Sequence, residues 1–239
     1  MVGAVDIWSV DLGACVISPP ISCLSHDENA FSDRLRGREH RDRWIRSRRA
    51  LRTILAAQSG QQPADVRFEH GPFGKPRLAA PGRNTQPVHF NLTRSGDLCL
   101  IATCRDHPVG IDVELTGAHG GEDSIARRFF APREAATIGG LTGARKHRAF
   151  LDIWTRKEAY TKAIGVGLQQ PLRDLDLSAV DARVKDAAAW RLVSLPLAAG
   201  YVGTVAIHET GAARCATVPI RTFDYSQFIS VLHSHEYAQ

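Results

Sequence analysis

The chain has 239 residues, 44% apolar and 23% charged, with a net charge of +5 and a sequence pI near 9.1. That length supports one large or two small globular domains with a real core, and the net positive charge points to an anionic partner. No apolar run reaches the roughly 20 residues of a membrane span, and Met1–Asp6 lacks the basic start and apolar core of a signal peptide, so a cytoplasmic protein with no membrane partner is expected.

Alternation over Val5–Leu12 predicts a strand with Val5, Ile7 and Trp8 toward a core. Pro19-Pro20 breaks it, and Leu24-Ser25-His26-Asp27-Glu28 reads as a helix start with a capping box. Trp44, Ile45, Arg48, Leu51, Arg52 and Leu55 recur at helical spacing, predicting a helix over Arg41–Gln58 that Ser59-Gly60 ends. Nine arginines between Arg34 and Arg52 face only Asp33, Glu39 and Asp42. With Trp44 as its one aromatic, that stretch lacks the stacking platforms of a single-strand binder, and a solvated basic helix explains it equally well.

A short strand is predicted at Val66–Phe68, then a turn-rich loop, His70–Pro76. Its glycines would let backbone approach a ligand and its Lys75 meet a phosphate, unless it is a plain turn with a solvent lysine. Two strands around Ser95-Gly96-Asp97 form a hairpin signal, and Val109–Glu114 is the next strand. After Gly117–Gly121, helices are predicted from Ser124, from Ala131 and over Lys146–Ala163, then strands at Leu175–Leu177, Trp190–Ser194 and Tyr201–Ile207. Strand, helices, strands therefore occur twice. The expected fold class is α/β (α+β), with lobes at 1–108 and 109–222 and a tail, 223–239, whose Tyr225, Phe228 and Leu232 pack on the body.

Two stretches carry the chemistry. Asp112 and Glu114 lie two apart in an apolar strand and share one side; Glu158 and Lys162 lie four apart and share one helix face. Each has a structural explanation: an edge strand's solvated face for the first, and for the second a Thr155-x-x-Glu158 capping box with Gly165 as left-handed stop. If the three carboxylates converge, their repulsion raises their pKa values unless a cation neutralises them, and carboxylates with lysines suit a hard cation handling phosphate. Five cysteines without C-x-x-C spacing and ten histidines without an H-E-x-x-H pattern argue against a disulfide framework or zinc. The G-x-x-x-x-G-K-[ST] loop of a P-loop enzyme is absent.

Val109-Gly110-Ile111-Asp112, then after a gap Trp154-Thr155-Arg156-Lys157-Glu158-Ala159-x-x-Lys162, resembles the paired signature of the 4'-phosphopantetheinyl transferases. Phe73-Gly74-Lys75-Pro76 and Phe90–Asp97 agree in order, and Glu114 with the chain length points to the surfactin-synthetase type. The resemblance spans about Leu24 to Leu168. It implies two lobes related by a pseudo-twofold and a monomer. The reaction it implies is Mg²⁺-dependent transfer of the 4'-phosphopantetheine arm of coenzyme A to a serine of an acidic apo carrier protein, acyl, peptidyl or aryl, releasing adenosine 3',5'-bisphosphate.

By the same match Asp112, Glu114 and Glu158 would hold the metal, and Glu158, Lys162 and Asp112 would be catalytic. Arg43, Lys75, Thr93, Arg94, Lys157 and Lys162 would meet coenzyme A. Thr93-Arg94 departs from the family's usual Ser-His, and Glu28 and Phe31 stand where the family has lysines. The 3'-phosphate is thus left to Arg43, Arg48 or Arg94. Arg127 and Arg128 are candidate carrier contacts, and Trp154 a core residue. Competing expectations are another Mg²⁺-dependent phosphotransferase acting on a nucleotide, and a basic nucleic-acid-binding module.

Overall fold

A computed structural model of the chain describes residues 4–13, 23–79, 87–117, 120–167, 171–178, 190–208 and 219–236. The first unit runs β1 (Val5–Asp11), α1 (His26–Arg34), α2 (Arg38–Ser59), the small β2–β3 pair (Phe68–His70, Pro76–Leu78), β4 (His89–Ser95) and β5 (Leu98–Cys104). The second runs β6 (Val109–Leu115), α3 (Glu122–Phe129), α4 (Pro132–Gly139), α5 (Gly143–Ile164), β7 (Trp190–Ser194) and β8 (Tyr201–His208). β9 (Ile220–Asp224) and α6 (Tyr225–Glu236) follow.

The two units repeat one topology. In the first, β1 pairs antiparallel with β5, and β5 with β4; in the second, β6 pairs antiparallel with β8, and β8 with β7. In each a 22-residue helix, α2 or α5, lies between the first strand and the last two. The mixed α/β class and the strand–helices–strands repeat read in the sequence are both present.

The layers follow from side-chain alternation along the strands. Val5 and Ile7 on β1, with Leu100 and Ala102 on β5, face Val109, Ile111 and Val113 on β6 and Val205 and Ile207 on β8, so the sheets pack on one another. On the outer face of the first sheet, Trp8, Val10 and Leu12 meet Leu51, Ile54 and Leu55 of α2. On the outer face of the second, Leu192 and Ala206 meet Ala159, Tyr160 and Ala163 of α5. β6 thus has a core side and a helix side, and Gly110, Asp112 and Glu114 belong to the helix side.

β9 pairs parallel with β1, from Val5↔Ile220 to Ser9↔Asp224, so the chain returns to the first sheet and the expected boundary at 222 falls inside a strand. Tyr225 and Ile229 of α6 are buried there, and Phe228 packs 4.8 Å from Trp8. The expected packing of Leu232 lies outside the described side chains. Cys23, Cys99 and Cys104 are buried free thiols; Cys15 and Cys215 lie outside the described residues. Among the described residues no helix is long and apolar enough to cross a membrane.

Local signals behave as their chemistry dictates. Ser25 Oγ accepts from Glu28 N–H at 3.2 Å while Glu28 Oε2 accepts from Ser25 N–H at 3.0 Å, closing the capping box of α1. Gly60 and Gly165 end α2 and α5 in the left-handed conformation, at φ 68° and 80°. Leu175–Leu177, however, is not a strand: a 3-10 turn at Leu172–Asp174 precedes it. Beyond the bond from Leu175 N–H to the Leu172 carbonyl, side chains take up its backbone groups. Lys157 donates to the carbonyls of Leu172 and Leu175, and Glu134 Oε1 accepts from Leu177 N–H.

The Thr155 capping box is also absent. Thr155 sits inside α5, and its hydroxyl is 3.0 Å from that of Thr204 on β8. Several arginines of the basic stretch are engaged within the fold. Arg52 is 1% exposed and binds Glu28 Oε2 at 2.6 Å and the carbonyls of Pro63 and Val66. Arg41 pairs with Asp33, and Arg46 donates to the Leu12 carbonyl.

Candidate active site

One edge of β6 is taken by β8; the other is satisfied by side chains rather than by a strand. The N–H groups of Ile111, Val113 and Leu115 donate to Asn91 Oδ1 (2.9 Å), Thr93 Oγ1 (3.4 Å) and Ser95 Oγ (2.9 Å). Those three residues alternate along β4, so its period of two matches the spacing of free amides on β6. A buried strand edge must be paired, and this pairing fixes β4 beside the acidic face of β6. The same hydroxyls then reach the acids: Thr93 Oγ1 donates to Asp112 Oδ1 at 3.1 Å, and Ser95 Oγ to Glu114 Oε2 at 2.9 Å.

On its helix side β6 lies hard against α5. A Cβ on Gly110 would fall 2.1 Å from the Ala159 carbonyl oxygen and 2.5 Å from Ala163 N, so only glycine permits this approach. The close crossing brings Lys162 Nζ 2.5 Å from Asp112 Oδ1. Asp112, Glu114, Glu158 and Lys162, with Leu92, Thr93, Arg94 and Trp154, line an open cleft of about 400 Å³. A larger, mainly apolar cavity of about 580 Å³ lies between β1, β9 and the 195–201 loop, and none of the cleft's acids or lysines lines it.

The electrostatics are those of crowded acids. Burial pushes the Asp112 carboxyl up to about 6 against the pull of Lys162, and the neighbouring Glu114 and Glu158 add to the rise. Burial raises the Glu158 pKa too, opposed by Lys162 and helped by Glu114. Asp112 Oδ2 and Glu158 Oε1 are buried with no hydrogen-bond partner among the described residues. Unsatisfied carboxylate oxygens on an acid-lined cleft are the donor chemistry of a hard divalent cation. As the side chains stand, no three acidic, histidine or cysteine residues among those described are close enough to hold one ion. Lys162 occupies Asp112 instead.

Of the residues expected to meet coenzyme A, three line this cleft and three do not. Thr93 and Lys162 do, and so does Arg94, exposed and with no hydrogen-bond or ion-pair partner among the described residues. Arg43 is held at 2.7 Å by Asp97 and at 2.8 Å by Glu39. Lys75 donates to the carbonyls of Ala163 (2.8 Å) and Val109 (3.2 Å). Lys157 is 0% exposed, paired with Glu134 at 2.8 Å and over the Phe130 ring. That placement corrects its expected phosphate contact, because a fully enclosed ammonium presents no surface to a ligand.

Trp154 is half-buried, stacked on Phe150 and forming one wall of the cleft. Arg127 and Arg128 are exposed on α3, which the Asp123–Lys146 ion pair and a 2.8 Å hydrogen bond between Glu122 and His147 tie to α5. Asn91 and Ser95 lie in the Phe90–Asp97 block, where the sequence alone gives them no individual role. Their signal was the polar alternation Asn91, Thr93, Ser95 opposite an apolar strand of equal length.

Comparison with known proteins agrees with this geometry. Residues 108–206, from the start of β6 to β8, match the 4'-phosphopantetheinyl transferase superfamily. The 4'-phosphopantetheinyl transferase HetI of Nostoc sp. is 35% identical over 216 residues, covering 87% of this chain and 89% of that protein. The slr0495 protein of Synechocystis sp. is 32% identical over 200 residues, 81% of this chain and 80% of its own. The 4'-phosphopantetheinyl transferase Sfp of Bacillus subtilis is 30% identical over 122 residues, 51% of each chain. With a relative this similar aligned over nearly the whole length, and the superfamily match falling on the strand and helix that build the cleft, the chain belongs to the 4'-phosphopantetheinyl transferase superfamily.

Proposed function

We propose that this enzyme moves the 4'-phosphopantetheine arm of coenzyme A to the serine hydroxyl of an apo carrier protein, in the manner of the surfactin-synthetase type, with Mg²⁺ and with release of adenosine 3',5'-bisphosphate. The observation that carries the reading is the gathering of Asp112, Glu114, Glu158 and Lys162 around one cleft, with Asp112 Oδ2 and Glu158 Oε1 unsatisfied. Asp112, Glu114 and Glu158 would hold the metal, which when bound neutralises pyrophosphate charge and screens the acids from one another.

The remaining chemistry belongs to side chains. The serine oxygen bonds to the β-phosphorus of coenzyme A, and the bond from that phosphorus to the bridging oxygen breaks. Glu158, whose pKa burial raises above the ordinary carboxylate value, takes the serine proton. Lys162, within reach of Asp112 at rest, turns to the phosphate oxygens as negative charge gathers on the leaving group. Arg94, free and exposed at the cleft wall, holds a phosphate by its planar fork. As a permanently charged group it does so without the pH dependence of the histidine common at this position in the family.

Arg43 is engaged by two acids and Arg48 by Glu28, which favours Arg94 for the 3'-phosphate end. The net charge of +5 and the exposed Arg127 and Arg128 on α3 suit an acidic carrier. The two topologically similar units put β4, β6 and α5, the elements of the site, in one chain, which favours a monomer.

The test is a mass spectrum of apo carrier protein incubated with the enzyme, coenzyme A and Mg²⁺. A gain of about 340 Da, the mass of the transferred group, is expected, and it disappears without metal or with Glu158→Ala. No gain across acyl and peptidyl carriers, together with no binding of coenzyme A, would end the reading; ATP binding in its place would favour another phosphotransferase.

A further inference from the structure

We propose that Lys75 is a positioning residue for the transfer: it ties the C-terminal end of α5 to the start of β6 and does not hold a phosphate of coenzyme A. The inference rests on the function proposed above. Its basis is where the ammonium group is spent. Nζ donates at 2.8 Å to the carbonyl of Ala163 and at 3.2 Å to that of Val109. Ala163 lies in the last turn of α5, whose carbonyls have no intrahelical partner and carry the negative end of the helix dipole. A lysine from another element, the β2–β3 loop, therefore caps this helix.

The two anchors are the elements that make the site. Val109 opens the strand bearing Asp112 and Glu114, and Ala163 follows Lys162 on the helix bearing Glu158. The side chain also packs along the helix stop. A Cβ on Gly165 would lie 3.2 Å from Lys75 Cδ, so the stem fills the space that the left-handed glycine leaves. The loop is shaped for this: Gly71 N–H donates to the Lys75 carbonyl at 2.9 Å, and Gly74 takes φ 82°.

Charge points the same way. Lys157 and Lys162 each pair with a carboxylate, at 2.8 and 2.5 Å. Lys75 has no carboxylate partner among the described residues, and burial alone pulls its pKa down to about 8. An ammonium kept to bind phosphate would be left solvated beside the cleft; this one is half-buried and turned to two carbonyls. Contact between Gly110 and α5 sets how near the helix lies, and Lys75 sets how far along the strand it sits. The position of Lys162 over Asp112 depends on both.

Three preparations decide the matter: wild type, Lys75→Met, which keeps the stem, and Lys75→Arg, which keeps the donors. Each is assayed for kcat and for the KM of coenzyme A, and hydrogen exchange is followed at the amides of residues 161–165. The strut role predicts that Lys75→Met lowers kcat by about 10- to 100-fold, leaves KM near wild type and speeds exchange in that turn, with Lys75→Arg recovering part of each. A raised KM with kcat and exchange unchanged would overturn it.

Should Lys75→Met not fold, the Nζ resonance of Lys75 in the wild-type protein is followed as adenosine 3',5'-bisphosphate is added. A strut leaves it unmoved, and a phosphate contact shifts it. If wild type transfers nothing to any carrier, the proposed function falls, while exchange in the last turn of α5 still reports whether Lys75 holds it.

Discussion

Lys162 Nζ lies 2.5 Å from Asp112 Oδ1, and Asp112 is nonetheless held as a weak acid, at about 6 against an ordinary 3.8. One ammonium does not compensate a carboxylate that is 3% exposed with two further acids beside it. The arrangement costs stability at neutral pH, as an active site built for charge commonly does.

The pH dependence follows from that raised value. Protonated Asp112 favours the folded state fully below the unfolded pKa of 3.8, and the contribution is lost as pH rises through about 6. Asp112→Asn should therefore be more stable than wild type at pH 7.5 by about 1–3 kcal/mol, the upper figure corresponding to the whole shift. The gap should close toward pH 4, and transfer should be abolished. Urea midpoints at both pH values check this; an Asn variant less stable at pH 7.5 would show that the Lys162 pair outweighs desolvation.

Gly110→Ala places a methyl group 2.1 Å from one α5 backbone atom and 2.5 Å from another, and neither can move without the helix. We expect a loss of about 1–3 kcal/mol from overpacking, with transfer falling further than stability because Glu158 and Lys162 shift off the acids. Thermal unfolding beside a kcat measurement on the folded fraction separates the two. An Ala variant with wild-type melting and activity would mean the contact relaxes freely.

Glu134 and Lys157 form a fully enclosed ion pair, and Glu134 also accepts from the N–H groups of Ala131 and Leu177. Removing one partner strands the other, so Glu134→Ala should cost about 3–5 kcal/mol. Adding Lys157→Met should recover part of that loss. A double-mutant cycle on denaturation midpoints reads the coupling, and a double variant no better than Glu134→Ala would place the cost in the lost bonds to Ala131 and Leu177.

Much of this was legible in the chain. The alternation at Val5–Leu12, the capping box at Ser25 and Glu28 and the stop at Gly165 are short-range effects, written in residues next to one another and present in the structure. Leu175–Leu177 reads as a strand because its apolar spacing matches one, while the side chains that hold its backbone, Lys157 and Glu134, lie far away in sequence. The burial of Lys157 is hidden from the sequence for the same reason. A helical wheel separates it from Glu158, but only packing tells which side is sealed.

The sequence by itself determined the secondary-structure pattern, the twofold repeat of its plan and the family signature, because periodicity and motif spacing are properties of neighbouring residues. That Asp112 and Glu114 share a strand face, and Glu158 and Lys162 a helix face, followed from backbone geometry alone. The tertiary structure decided which of the many cations are available. Arg52, Arg43, Lys75 and Lys157 are all spent on acids or carbonyls brought from elsewhere in the fold, whereas Arg94 is left open at the cleft. A charge is free only when no partner has reached it, and partners distant along the chain meet only after the sheets and helices have packed.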